Sequence, residues 1–367
     1  MKKAVEEILG FADVEIGGER PWDIRVYDDR FYGRVLGQGS LGLGESYMDG
    51  QWDCDKLDEF FNRVLRVKLE DRVGHGQRFF LSLRSKLLNL QNKVGALKVG
   101  RHHYDIGNDL YSEMLGERMV YTCGYWKDAS NLADAQESKL ELVCRKIGLK
   151  SGMKVLDVGC GWGSFAKYAA EKHGAEVVGI TISEEQVKLG REKCTGLPVD
   201  IRFQDYRDVY EKFDAVISLG MFEHVGIKNY ETYMKKISEC LDDKGLFLLH
   251  SIGGNRSVNS TDPWIEKYIF PNSMIPSAKQ IASSSEDVFV VEDWHNFGTD
   301  YDKTLMAWHE NFSKGWDRLK ENYGERFKRM WDYYLLSCAG SFRARRNQLW
   351  QIVFSKGGVD GGYASVR

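Results

Sequence analysis

The residues best equipped for chemistry cluster in a few short stretches. VLDVGCGWGS, residues 155–164, sets Asp157 before three glycines, Gly159, Gly161 and Gly163, at every second position. Glycine accepts left-handed backbone and close approach to a ligand, and a helix starting beyond it offers free N–H groups. Dinucleotides and adenosyl cofactors both suit such a turn. GxGxG departs from the GxGxxG of most nicotinamide-binding folds. A dinucleotide fold also wants an acid at the end of its second strand, for the ribose. Gly179, Ile180 and Thr181 stand there instead, which counts against NAD. Thr181 and Gln186 offer a hydroxyl and an amide, and Gln204 and Asp205 follow the next strand in FQDYRD. A carboxylate at that place can bond an adenine or serve as an ordinary loop group. LGMFEHVG puts Glu223 and His224 where a substrate would lie. A carboxylate there can stabilise positive charge, act as a base or orient a group that does; a helix-capping or solvated acid is the plain alternative. His250, ending LFLLH, reads equally as a core histidine or a site residue.

Alternating strand and helix signals from residue 134 onward must position these groups. DAQESKLELVCRKIGL, SFAKYAAEKHG, SEEQVKLGREKC and NYETYMKKISECL carry helical periodicity, with Ser183 as an N-cap. KVLDVG, EVVGITI, DIRFQDY, FDAVISLG and GLFLLHSIG read as strands. This alternation predicts a parallel, doubly wound sheet with ligands at the carboxyl ends of its strands. After His250 comes a long polar loop, and then aromatic-rich helical stretches from Asp302 to Phe354. Met306, His309, Phe312, Trp316 and then Tyr323, Phe327, Met330, Tyr334 recur there at helical spacing, as core or as an apolar cover for the strand ends. Residues 1 to about 70 read as strand-like pieces (DVEI, DIRVYD), turns such as GQGSLGLG, and a helix, LDEFFNRVLRVKLED.

The 367 residues suffice for two domains, or for one large domain with an appendage. A hydrophobic content of 43% with a net charge of −3 is ordinary for a globular protein and argues against a general nucleic-acid binder. Seven scattered cysteines without a CxxC pair indicate neither a disulfide framework nor a metal site, and fit a reducing cytoplasm. No stretch resembles a signal peptide or a run of roughly 20 apolar residues able to span a membrane. From Arg72 to Tyr104, seven Lys or Arg residues occur with no Asp or Glu, while Phe80, Leu83, Leu87 and Leu90 share one helical face. Such a segment can lie on an anionic bilayer or pack with a solvated basic face.

Taken together, HHYDIGNDLY, YTCGYW, VLDVGCGWGSFA, GITISEEQ, FQDYRD, GMFEHVG, DPWIEKYIFPN, EDWHNFGTDY and CAGSFRAR resemble the cyclopropane-fatty-acyl-phospholipid synthases. These are S-adenosylmethionine-dependent bacterial lipid enzymes, and GSLGLGESYMDGQWDCD extends the likeness over nearly the whole chain. The resemblance implies an α/β, Rossmann-like class I methyltransferase fold with a doubly wound, mostly parallel sheet and a smaller, mainly helical N-terminal domain. It divides the chain into a lipid-engaging and dimerisation domain (1–85), a linker (86–100) and a catalytic domain (101–367).

The implied reaction moves the methyl of S-adenosylmethionine to the cis double bond of an acyl chain in a phospholipid. Bicarbonate assists the proton loss that closes a cyclopropane ring. An alkene needs no prior deprotonation, so alignment, support of positive charge, exclusion of water and removal of one proton are the enzyme's tasks. By resemblance the bicarbonate positions are Cys123 (through its backbone), Glu223, His250, Ile252 and Tyr301. Cys123, Glu223, His250 and Tyr301 are also catalytic positions, as is Cys338 in CAGSFRAR. The chemistry requires no nucleophile, so a packed thiol suits Cys338 better. The cofactor positions are Tyr121, Thr122, Asp157, Gly159, Cys160, Gly161, Gly163, Thr181, Ile182, Gln186, Gln204 and Asp205. The implied partners are an unsaturated phospholipid in a bilayer and a second copy of the chain, with no nucleic acid. The implied location is the cytoplasm, peripherally on the inner membrane face. A methyltransferase for a small amine or hydroxyl would need neither the bicarbonate set nor a lipid-facing domain. A DNA-base methyltransferase would carry a DPPY-like tetrapeptide where GMFE stands, and a non-catalytic lipid binder would tolerate loss of Glu223 or of the glycine turn.

Overall fold

The computed structural model describes residues 1–67 and 107–367, so the basic segment 72–104 and the start of HHYDIGNDLY lie outside the described residues. The chain forms two compact units. One gathers residues 107–258, 272–300 and 348–367; the other gathers residues 1–67, 259–271 and 301–347.

The first unit is built on a seven-stranded sheet. Its strands are β3 (Lys154–Val158), β4 (Glu176–Thr181), β5 (Val199–Phe203), β6 (Phe213–Leu219), β7 (Leu241–Gly254), β8 (Val290–Asn296) and β9 (Asn347–Ser355), in the order β5-β4-β3-β6-β7-β9-β8. Strands β5, β4, β3, β6 and β7 run parallel, and β8 pairs antiparallel with β9. The order reverses between β4 and β6 on either side of β3, so β3 delivers the glycine turn to the crevice where an open α/β sheet binds ligands. The fold class implied by the sequence is the one observed.

Strand pleating sorts the core. Leu156 and Val158 of β3 join a cluster with Tyr230, Tyr233 and Ile237 of the helix Tyr230–Cys240. Val155, on the opposite face, packs with Leu140 and Val143 of the helix Leu132–Lys146 and with Phe165 and Ala169 of the helix Ser164–His173. Asp157 follows Val155 by two residues and so shares this second face.

One sequence expectation fails here for an identifiable reason, and its neighbour holds. LWQIVFS, expected within the helical stretch ending at Phe354, forms β9, buried from Gln348 through Ser355 and inserted between β7 and β8. A fully buried apolar run carries no alternation to separate strand from helix. The aromatic-rich region before it is helical over Thr299–Arg343, broken at Gly324, whose φ of 69° no other residue type adopts readily.

The second unit is mainly helical, as the resemblance implied; of the expected strand-like pieces DIRVYD holds a two-residue strand, DVEI forms none, and LDEFFNRVLRVKLED supplies the helix Leu57–Arg66. Its only strands among the described residues are the two-residue pair β1 (Arg25–Val26) and β2 (Trp52–Asp53). GQGSLGLG, expected as turns, leads from the helix Arg30–Gln38 directly into the helix Ser40–Met48. Gly42 and Gly44 serve close packing rather than turning: a Cβ on Gly42 would fall 2.2 Å from the Arg34 carbonyl oxygen, and one on Gly44 would fall 2.3 Å from Cδ1 of Trp264. An aromatic core binds the unit, with Trp264 against Tyr333 at 4.4 Å and Phe61 against Tyr333 at 5.2 Å between ring centres. Arg343 ties Asp58 (2.6 Å) to Asp302 (2.9 Å). No helix among the described residues is long and apolar enough to cross a membrane.

Candidate functional site

The glycine turn after β3 is tied to the next strand: the N–H groups of Gly159 and Cys160 both donate to the Ile180 carbonyl, at 2.9 and 3.0 Å. Gly159 has φ 82°, and a Cβ there would lie 2.7 Å from Met221 Cβ. Glycine is therefore required twice over, by conformation and by space. Gly163, at φ 78°, caps the helix Ser164–His173.

Around this turn opens a cleft with about 1320 Å³ of free space, its mouth included. Tyr121, Thr122, Asp157, Gly159, Cys160, Gly161, Thr181, Ile182, Gln186, Gln204 and Asp205 all line it, whereas Gly163 does not. Several of these groups are held by one another. The Thr181 hydroxyl donates to Gln186 Oε1 at 2.7 Å, and Ser183 caps the following helix by accepting from the Gln186 N–H. Arg207 grips Asp205 through two side-chain hydrogen bonds of 2.8 Å each, while Gln204 donates to the Asp208 carbonyl. Tyr121 packs edge-on against Tyr111, which itself lies 5.0 Å from the Trp162 ring.

Sequence reading missed Lys139. It lines the cleft from the helix Leu132–Lys146 and donates from Nζ to Thr122 Oγ1 at 3.0 Å. The available signal was a lysine on the apolar stripe of an amphipathic helix, at the spacing shared by Ala135, Leu142 and Lys146. Burial lowers its pKa to about 8, with the nearby Cys123 and Asp157 opposing. Burial raises Asp157 to about 7, with Lys139 opposing, and Asp157 Oδ1 has no hydrogen-bond partner. Gln136, one helical turn before, donates to the Thr122 carbonyl at 2.8 Å and so holds the same segment. Met221, Arg207 and Asn272 also line the cleft without having been singled out.

Glu223 sits on a short helical turn, Phe222–His224, just after β6. Phe222 stacks on Tyr230 at 4.2 Å and pins that turn. Glu223 Oε1 accepts from the Ile252 N–H at 2.6 Å, while Oε2 is buried with no hydrogen-bond partner. Burial pushes the carboxyl up to about 7, opposed by the Ile252 N–H, its own backbone N–H and the Ser251 hydroxyl. His250 lies on β7, in register with Leu219 of β6, and its carbonyl accepts from the Gly220 N–H at 2.9 Å. Leu219 and Gly220 line the cleft, so the Glu223 and His250 pair borders it without being part of its wall. Burial, with Lys139 and Lys146 next, holds His250 well below its usual pKa and therefore neutral. Gln351 Nε2 lies 3.3 Å from His250 Nδ1; with that amide donating, the ring proton sits on Nε2, which is buried without a partner.

Of the other expected positions, Cys123 is fully buried in the same unit, its thiol donating to the Gly124 carbonyl at 3.1 Å. Tyr301 and Cys338 belong to the helical unit. Tyr301 packs on Phe342 at 4.6 Å. Cys338 is half-buried, and loss of solvent raises its thiol to about 12, which keeps it protonated.

Comparison with known proteins adds sequence to this geometry. Residues 91–352 match the family described as mycolic acid cyclopropane synthetase. The cyclopropane-fatty-acyl-phospholipid synthase of Escherichia coli K12 is 55% identical over 98% of this chain and 94% of its own. A probable fatty acid methyltransferase of Pseudomonas putida is 37% identical, over 95% of this chain and 90% of its own. Among solved structures, a mycolic acid cyclopropane synthase in complex with SAH and CTAB matches with a TM-score of 0.66 at 27% identity, over 71% of this chain and 98% of that one. A glycine-turn cleft at the switch point of a parallel sheet, joined to likeness of this extent, has one consequence: the chain belongs to the mycolic acid cyclopropane synthetase family and is an S-adenosylmethionine-dependent methyltransferase acting on unsaturated lipid.

Proposed function

We propose that this enzyme methylates the cis double bond of an unsaturated acyl chain within a membrane phospholipid and closes a cyclopropane ring, with bicarbonate taking up the proton lost. The cofactor supplies an electrophilic methyl and bicarbonate a mild base when bound. Thr181, Gln186, Gln204 and Asp205 would hold the adenosine portion, while the glycine turn and the Tyr121 and Thr122 segment would hold the remainder. The fit rests on Gly161, a glycine of the cleft wall beside which a Cβ would meet open space, and on the unpartnered Asp157 Oδ1.

The observation that carries the proton-handling part is a pair of unsatisfied buried atoms, Glu223 Oε2 and His250 Nε2, beside the cofactor cleft. A buried polar atom without a protein partner has room for an ordered water, an ion or a bound ligand. One is an acceptor and the other, in the tautomer above, a donor, which suits a small oxyacid that both gives and takes hydrogen bonds. Glu223 orients and shares a proton; neutral His250 donates without adding a charge that would oppose a carbocation. Cys123, Ile252 and Tyr301 complete the proposed set, and Cys338 has no step to perform.

The homodimer, the lipid-engaging role of residues 1–85, the linker at 86–100 and peripheral association with the inner membrane face belong to the same proposal. They rest on the resemblance of the motifs across nearly the whole chain. The test is incubation with S-adenosylmethionine, bicarbonate and vesicles of monounsaturated phospholipid, followed by mass spectrometry and proton NMR of the released acyl chains. Gain of one CH₂ with loss of the alkene protons supports ring closure. Gain of one CH₂ with alkene protons retained indicates a methyl-branched product and overturns it.

A further inference from the structure

Lys139 is a buried cation that the chemistry outlined above does not use. It is 1% exposed, and its ammonium bonds Thr122 in the wall of the cofactor cleft. Asp157 lines the same cleft, is equally buried, and lies on the face of the sheet that packs against the helix carrying Lys139. The field of Lys139 also reaches His250, on the border between the cleft and the Glu223 turn. On the proposed reading the reactive end of the cofactor faces the Glu223 turn, on the side of the cleft that Thr122 and Lys139 line.

The cofactor carries a positive sulfonium, and the product left after methyl transfer is a neutral thioether of otherwise identical shape. A buried cation disfavours the first and leaves the second untouched; a buried anion does the opposite. Such interactions are weakly screened away from water. We propose that Lys139 is a positioning residue whose charge, balanced against Asp157, sets how strongly the cleft prefers the sulfonium cofactor over its thioether product, while its hydrogen bond fixes Thr122. The inference deepens the cofactor assignment and rests on it.

The test is calorimetric titration of the full-length enzyme at pH 7.5 with S-adenosylmethionine and, separately, S-adenosylhomocysteine. Wild type, K139M, D157N and the double variant are compared, with circular dichroism as a folding check. K139M is expected to shift the ratio of the two Kd values roughly three- to tenfold toward S-adenosylmethionine, D157N to shift it by a similar factor toward S-adenosylhomocysteine, and the double variant to return near wild type. Titration of the surviving partner shrinks these shifts without reversing them. Equal loss of affinity for both ligands, with the ratio unchanged, shows a purely structural role and overturns the inference. D157N decides the matter alone where K139M does not fold. Wild type binding neither ligand would instead overturn the cofactor assignment itself.

Discussion

Replacing Glu223 by Gln keeps the shape of the side chain and removes its charge, so stability and turnover should move in opposite directions. The carboxyl is 7% exposed and its pKa stands near 7 against an ordinary 4.5. A folded-state pKa above the unfolded one means that the carboxyl favours folding while protonated in both states. That contribution is complete below pH 4.5 and lost as pH rises through 7. Ionised Glu223 therefore costs about 3 kcal/mol at pH 8.5. A glutamine avoids this cost and still accepts from the Ile252 N–H, losing about 1 kcal/mol with the weaker acceptor. Glu223→Gln should raise the Tm by several degrees at pH 8.5 and leave it nearly unchanged at pH 5.5. Product formation on phospholipid vesicles should fall by roughly 10²- to 10³-fold, the scale seen when a group stabilising or relaying charge in a transition state is removed. Cofactor affinity, measured by calorimetry, should stay within about threefold of wild type, since Glu223 does not line the cleft. Wild-type turnover would refute the role given to Glu223. A lower Tm at pH 8.5 with an unchanged one at pH 5.5 would refute the burial argument.

Gly159→Ala should reduce S-adenosylmethionine binding by more than about tenfold in calorimetry, because the new methyl meets Met221 at 2.7 Å on a backbone at φ 82°. Gly44→Ala should destabilise the helical unit by about 1–3 kcal/mol in denaturant unfolding, since its Cβ would overlap the buried Trp264 ring. Cys338→Ser should keep turnover within about threefold of wild type, because a thiol held at about 12 is protonated at working pH and no step needs a nucleophile. Turnover of wild type should rise with pH through about 7 as Glu223 ionises, and this rise should vanish from the residual activity of Glu223→Gln.

Much of the cleft was legible because it is built from local signals. A buried strand, a glycine turn and an amphipathic helix follow one another within twenty residues, and each is read from neighbours in the chain. The same holds for Ser183, whose capping of the next helix is observed as expected. Residues that act through distant partners were harder to see. Lys139 went unnoticed because its place on an apolar stripe signals burial but does not announce Thr122, 17 positions away, or the Asp157 carboxylate. Gly44 of GQGSLGLG looked like a turn former because Trp264, which it accommodates, lies more than two hundred residues on. That Tyr301 and Cys338 belong to the helical unit was likewise not legible from their neighbours in the chain.

By itself, the sequence determined the strand–helix alternation that makes a parallel, doubly wound sheet, the place of the cofactor turn and the lack of an acid at the end of the second strand, which counts against NAD. Periodicity and turn chemistry act over a few residues and survive without knowledge of the rest of the chain. Tertiary structure alone decided that β9 enters the sheet beside β7, that segments 259–271 and 301–347 build one unit with the N-terminal helices, and that two buried lysines, Lys139 and Lys146, flank the environment of His250. The reason is desolvation. Whether a lysine, a carboxyl or an imidazole is charged, paired or left unsatisfied depends on which distant elements remove it from water, and that is settled only once the sheet and its helices have closed around it.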